Sequence, residues 1–103
     1  MSFSITQETS GHFVISLDMV FSPSEPQFAL VQEFIDRIPA LHIKRVTLDF
    51  SNCKYMDTKA ISLIVSMYNE TREMRAEIHV VGADDTIKDL MRSIQLDEMV
   101  LIK

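Results

Sequence analysis

In the second half of the chain, predicted strands alternate with predicted helices. This alternation restricts the possible folds more than any other feature of the sequence. Strands are predicted at Lys44–Phe50 (KRVTLDF), Ala76–Val81 (AEIHVV) and Met99–Ile102, with helices between them that begin near Asp57 and Asp84. Strands joined in this way form parallel pairs through right-handed crossovers. The pattern therefore predicts an α/β fold with a mostly parallel sheet and helices packed on it.

The first half of the chain predicts an antiparallel addition to that sheet. Phe3–Gln7 alternates apolar and polar residues, Gly11 marks a turn, and His12–Leu17 is typical of a second strand. A loop with two prolines, Asp18–Pro26, leads into an amphipathic helix predicted over Gln27–Ile38. The expected order is β-β-α-β-α-β-α-β in a single domain over residues 1–103.

Polar residues that favour helix N-termini precede each predicted helix. Ser22 or Ser24 is predicted to cap the first helix, and Asp84 or Asp85 the third. In open α/β sheets, ligands and partners bind at the carboxyl ends of the strands. We therefore expect three loops to share one functional edge: Asp18–Pro26, Ser51–Met56 and Gly82–Asp85.

Composition excludes several classes of function. A net charge of −5 and a pI near 5.0 argue against binding to nucleic acid or to an anionic membrane surface. Two glycines are too few for a phosphate-cradling loop, so no nucleotide cofactor is expected. The three histidines lie on separate elements without metal-ligand spacing, so no metal is expected either. The N-terminus does not resemble a signal peptide and no apolar run reaches membrane-spanning length, which predicts a cytoplasmic protein.

The Asp57-Thr58 step is the candidate site. The Asp57 carboxylate is predicted to accept amide groups of the first helical turn, which makes Thr58 the first helical residue. A phosphate on the Thr58 hydroxyl would be stabilised by the positive end of the helix dipole. It would add a charge of about −2 to a surface that already carries Asp57, Asp84 and Asp85. Helix capping alone is the competing explanation of the pair.

A short apolar run, Met19-Val20-Phe21, lies in the loop Asp18–Pro26, which is expected at the same edge as Thr58. Two interpretations are open: the run packs over the core, or it forms an exposed partner-binding patch. The candidate partner-binding residues are Met19, Val20, Phe21, Ser22, Tyr55 and Met56.

The run from Val46 to Gly82 resembles the STAS domain family, the anti-sigma-factor antagonists and their relatives. Leu48-Asp49-Phe50-Ser51 is similar to the family's strand end, and Met56-Asp57-Thr58 to its Asp-Ser or Asp-Thr helix start. The resemblance extends over about Phe3–Ile102. It implies a STAS-like fold and a protein that binds an anti-sigma factor or serine/threonine kinase of that type, with no catalysis of its own. By position, Thr58 would accept the phosphate, phosphorylation would release the partner, and a phosphatase would reset the switch.

Three positions depart from the family pattern. Lys59 replaces the second serine of the motif, Ala60 replaces its glycine, and Arg75 stands where a glycine often precedes the next strand. A cation beside the acceptor could pair with the phosphate or suit a different partner.

Two other functions stay open at this point. One is an unphosphorylated STAS scaffold or assembly subunit of a signalling or lipid-transport complex, and a homodimer is also left open. The other is a small hydrolase that uses Cys53 or Asp57, which would need a pocket and a neighbouring base. Cys53 is the only cysteine, so it forms no internal disulfide.

Overall fold

The computed structural model describes residues 3–103, and its elements follow the predicted alternation of strands and helices. In chain order they are β1 (Ser4–Thr9), β2 (His12–Ser16), β3 (Val20–Phe21), α1 (Pro26–Arg37), β4 (Arg45–Asp49), β5 (Tyr55–Met56), α2 (Thr58–Glu73), β6 (Glu77–Val81), α3 (Asp85–Ser93) and β7 (Leu101–Ile102). Single 3-10 turns follow α1 and α3, at Ile38–Ala40 and Leu96–Glu98.

A five-stranded sheet in the order β1-β2-β4-β6-β7 is the centre of the fold. β1 and β2 form the predicted antiparallel hairpin, and every other neighbouring pair in this sheet is parallel. The register sets His12 beside Arg45, and Arg45 beside Glu77. The prediction of a mostly parallel mixed sheet is confirmed.

The helices lie on one face of this sheet because the strand order never reverses. Each crossover, from β2 to β4, β4 to β6 and β6 to β7, moves in the same direction. Right-handed crossovers in one direction place all their helices on the same side. The strand residues that face the helices are fully or nearly fully buried: Ile15, Val46, Leu48, Ile78 and Val80.

Two of the three loops predicted at the functional edge contain short strands that the sequence did not predict. β3 and β5 pair in parallel as a separate two-stranded sheet, Val20 beside Tyr55 and Phe21 beside Met56. Two-residue strands are too short to show the alternation that predicts a strand.

The first helix begins differently from its prediction. The residue at its N-cap is Glu25, whose side chain caps nothing, and the Ser22 and Ser24 hydroxyls hydrogen-bond each other at 2.8 Å. The prediction that either serine caps α1 is wrong. Pro26 takes the first helical position, where its ring presets the helical φ angle and its missing N–H costs nothing.

Boundaries elsewhere shift by a few residues. The predicted strand at Met99–Ile102 is shorter, because the Met99 amide closes the preceding 3-10 turn on the Leu96 carbonyl at 2.9 Å. The last turns of α2 are rich in polar residues, yet Thr71 is buried and donates its hydroxyl to the Met67 carbonyl at 2.9 Å.

Helices α2 and α3 both end next to a left-handed residue. Arg75 has φ of 60° and Gln95 has φ of 62°, the region that glycine prefers. The amide after Arg75, that of Ala76, donates to the Thr71 carbonyl at 2.9 Å and closes the end of α2. Arg75, which stands where the family often has glycine, therefore ends α2 in a strained conformation.

Candidate functional site

The carboxyl ends of β2, β4 and β6 meet at one edge of the sheet, as parallel pairing requires. Backbone hydrogen bonds continue past the strands there: the Leu17 amide donates to the Asp49 carbonyl at 3.0 Å, and the Phe50 amide to the Val81 carbonyl at 2.8 Å. The three loops predicted to share this edge therefore do so.

The predicted partner-binding residues in and beside the small β3–β5 sheet differ in exposure. Phe21 and Met56 are buried in the core at 1% and 5% exposure, whereas Met19 and Tyr55 are 58% and 55% exposed. Within β5, successive side chains point to opposite faces, so Tyr55 is exposed and Met56 is buried. Met19 lies in the loop just before β3. We call Met19 and Tyr55 the apolar pair.

Three of the six candidate partner-binding residues are therefore buried and three are exposed or half-buried. Phe21 and Met56 are core residues, and Ser22 is also buried, with its hydroxyl on that of Ser24. Val20 is half-buried. Partner contact by the apolar pair stays a prediction.

Gln27 positions the loop that carries Met19, and sequence reasoning missed it. Its side chain is buried, accepts the Asp18 amide at 2.7 Å, and donates to the carbonyls of Asp18 (3.1 Å) and Val20. Its carboxamide thus takes the place of backbone partners for a loop that has few of its own. A glutamine at the start of an amphipathic helix gives no sequence signal of burial, since its expected place is the solvated face.

Asp57 caps α2 as predicted. Its backbone is extended, its carboxylate accepts the Ala60 amide at 2.9 Å, and its carbonyl accepts the Ile61 amide at 3.1 Å. The Asp57 amide in turn donates to the Phe21 carbonyl at 3.4 Å, which ties the helix start to β3.

Thr58 is the first residue of α2, and its side chain is exposed, as is that of Lys59. Ala60 is fully buried beneath them, which explains why the position holds a small residue. The amides of a first helical turn have no intrahelical partner and carry the positive end of the helix dipole. The Thr58 hydroxyl is therefore accessible at a place that favours added negative charge.

Cys53 precedes this helix but is not a nucleophile. Its side chain is fully buried, its thiol donates to the Tyr55 carbonyl at 3.4 Å, and burial raises the pKa of that thiol. A protonated, inaccessible thiol contradicts the hydrolase hypothesis at Cys53. Two cavities in the described chain, of 190 and 440 Å³, are lined by neither Cys53 nor Asp57.

Two of the three histidines contact charged side chains on the sheet. His79 is buried on the helix-free face of the sheet and contacts the Glu77 carboxylate at 2.9 Å, which lowers the pKa of Glu77. His12 contacts Arg45 at 3.3 Å. Within residues 3–103, no group of three or more potential ligands could hold a metal ion. No helix in that same range is long and apolar enough to cross a membrane.

A family model for the STAS domain matches residues 4–103. This chain belongs to the STAS domain family. Comparison with curated protein sequences gives no match.

Solved structures show the same fold as this STAS domain at low sequence identity. The anti-sigma factor antagonist SpoIIAA in its unphosphorylated form has a TM-score of 0.85 at 13% identity, with 99% of this chain and 88% of that chain covered. The Bacillus cell fate determinant SpoIIAA in its phosphorylated form gives 0.73 at 13%, covering 99% and 91%. An anti-sigma factor antagonist from Mycobacterium paratuberculosis gives 0.76 at 16%, covering 98% and 85%.

Proposed function

We propose that this STAS domain is a regulatory protein-binding module of the anti-sigma-factor-antagonist type, switched by phosphorylation of Thr58. The partner is an anti-sigma factor or a serine/threonine kinase of that type, which supplies ATP and the catalytic groups. The observation that carries the proposal is the exposed Thr58 hydroxyl at the capped N-terminus of α2, beside the apolar pair.

The chemistry of the step makes few demands on this chain. The kinase transfers the γ-phosphoryl group of ATP to the Thr58 oxygen, the hydroxyl proton leaves, and ADP is released. The helix dipole and the free first-turn amides stabilise the product. The rigid cap at Asp57 holds the acceptor in place, so the protein needs little rearrangement to accept the phosphate.

Release of the partner follows from charge and desolvation. The apolar pair is the surface that a partner would cover, and Thr58 lies three residues after Tyr55. A phosphate of charge about −2 at the rim of that contact has to lose part of its hydration when the partner docks. Unphosphorylated protein would therefore bind the partner and phosphorylated protein would release it, and a phosphatase would restore binding.

The direct test is phosphoryl transfer with Thr58→Ala and a matched control. Thr86 supplies the control, because it is an exposed threonine in the first turn of α3, behind a similar aspartate cap. Wild type and Thr86→Ala should gain one phosphate by intact mass, with the modified peptide containing Thr58, and Thr58→Ala should gain none. A kinase that binds the protein but leaves Thr58 unmodified would exclude the switch.

A second function rests on the apolar pair alone. An unphosphorylated STAS scaffold or assembly subunit would use Met19 and Tyr55 in the same way and would have no need of Thr58. In that case Thr58→Glu would leave partner affinity unchanged, while Tyr55→Ala would still lower it. Binding isotherms of these two variants separate the two functions.

A further inference from the structure

The two edges of the main sheet differ in how they are protected against pairing with another strand. β7 is two residues long and is followed by Lys103, and short length and lysine both discourage edge pairing. β1 is six residues long, and its segment Ser4–Gln7 (SITQ) contains neither charge nor proline. The register shift that interrupts pairing lies beyond this segment, between Gln7 and Thr9. The start of β1 is therefore an unprotected edge.

An apolar groove runs beside this unprotected edge, between β1 and α1. It is a cavity of 440 Å³, with Ile5, Phe13 and Leu41 among its apolar lining. Leu30 of α1 stands on its wall and is 43% exposed. The groove exposes apolar surface beside the unpaired hydrogen-bonding groups of the strand edge. Association with another chain would bury both.

The wall of the groove also carries one charge of each sign. Glu33 and Arg37 are exposed, lie one helical turn apart on α1 and both line the cavity. No salt bridge within residues 3–103 joins them. When two copies of a helix pack antiparallel about a twofold axis, a position on one copy faces the mirrored position on the other. With the axis near Ile35, Glu33 of each copy faces Arg37 of the other.

We infer that the β1 edge and its groove are the site at which a second copy of this chain docks. Ser4–Gln7 pairs antiparallel with the same segment of the other copy about a twofold axis. This joins the two sheets and sets the two α1 helices antiparallel on one face. The interface is isologous, as in most homodimers. The opposite charges one turn apart favour a second copy over an unrelated strand, because they complement themselves only under this symmetry.

The charge arrangement gives the sharpest test, by sedimentation velocity on the full chain over a range of concentrations. Wild type should self-associate. Glu33→Arg and Arg37→Glu should each weaken association about ten-fold, because like charges then face each other across the axis. An equimolar mixture of these two variants should recover association as a heterodimer, and the double variant E33R/R37E should recover it as a homodimer. Wild type that stays monomeric at every concentration, or single variants equal to wild type, would overturn the inference.

A second arm tests the groove independently of charge. Leu30→Lys should weaken self-association at least about ten-fold, since it places an ammonium group in the apolar contact. Ile94→Lys is the matched control: Ile94 is 44% exposed, lies just beyond α3 and does not line the groove, so its variant should associate as wild type does. Circular dichroism should show both variants folded. Association that survives Leu30→Lys but is lost in Tyr55→Ala would place the contact at the apolar pair and disprove the docking site at β1.

Discussion

The N-termini of α2 and α3 are built alike, yet their neighbouring charges and surfaces differ. Asp57 and Asp84 each accept the amide of the third helical residue at 2.9 Å. Each aspartate is followed within two residues by an exposed threonine, Thr58 in α2 and Thr86 in α3. Cap geometry and an accessible hydroxyl therefore do not by themselves mark a site.

The two helix starts differ in neighbouring charge and neighbouring surface. Thr58 lies between Asp57 and Lys59, whereas Thr86 follows two aspartates, Asp84 and Asp85. A phosphate at α2 would therefore have one adjacent anion and one adjacent cation, and a phosphate at α3 would follow two anions. The apolar pair adjoins α2 and is carried by a loop that Gln27 holds in place. Each difference can be removed by mutation, which turns the comparison into a set of measurements.

The largest expected effect comes from a charge placed on each threonine in turn. Thr58→Glu should weaken binding of the proposed partner roughly 100-fold, about 3 kcal/mol, because the added carboxylate enters the contact. Thr86→Glu should change the affinity by less than about threefold, since exposed charges outside a contact contribute little. Isothermal titration calorimetry measures both, and equal losses would show that the partner does not distinguish the two helix starts.

Removal of the loop anchor should have the next largest effect. Gln27→Ala leaves the Asp18 amide and two carbonyls without their partner, which should lower the free energy of unfolding by about 2 kcal/mol. It should also weaken partner binding, because Met19 is no longer held. Gln32→Ala, at an exposed position on the same helix, is the control for urea unfolding. Equal midpoints for the two variants would mean that the buried carboxamide is not an anchor.

Loss of either aspartate cap should cost the same stability but not the same function. Asp57→Ala and Asp84→Ala should each lower the free energy of unfolding by about 1 kcal/mol, the usual effect of losing an N-cap. Only Asp57→Ala should also slow phosphorylation of Thr58, because it loosens the first turn of α2. Thermal unfolding measures the stability, and a time course measures phosphorylation of Thr58. If Asp84→Ala slows phosphorylation as much as Asp57→Ala does, the Asp57 cap has no specific part in positioning Thr58.

The smallest effect is expected at the other ends of the same two helices. Arg75→Gly and Gln95→Gly each relieve a left-handed conformation that costs a side-chain-bearing residue about 1–2 kcal/mol. Glycine also increases the conformational entropy of the unfolded chain, which offsets part of this stabilisation. Each variant should therefore be more stable by about 0.5 kcal/mol in urea unfolding, whereas a loss of stability would show that the arginine or glutamine side chain compensates for the strain.

Local chemistry was readable from the sequence wherever a residue acts on its immediate neighbours. The Asp57 and Asp84 caps, the alternating core of the strands and the parallel order of the second half follow from spacing of a few residues. Pro26 shows the limit of such rules. A proline at the first helical position starts α1 without a side-chain cap, and the serines before it bond each other instead.

The exposure of individual side chains could not be predicted from the sequence, because it depends on how distant segments of the chain pack together. Met19 and Phe21 are two residues apart in an apolar run, yet Met19 is exposed and Phe21 is buried. Phe21 lies in β3, which pairs with a strand more than 30 residues later, whereas Met19 lies in the loop before β3. Gln27 is buried for the same reason, since the loop before it folds back onto α1. Capping is decided within one turn of helix, whereas exposure depends on long-range pairing that spacing alone does not encode. The Asp57-Thr58 step could therefore be found in the sequence, and the surface around it only in the fold.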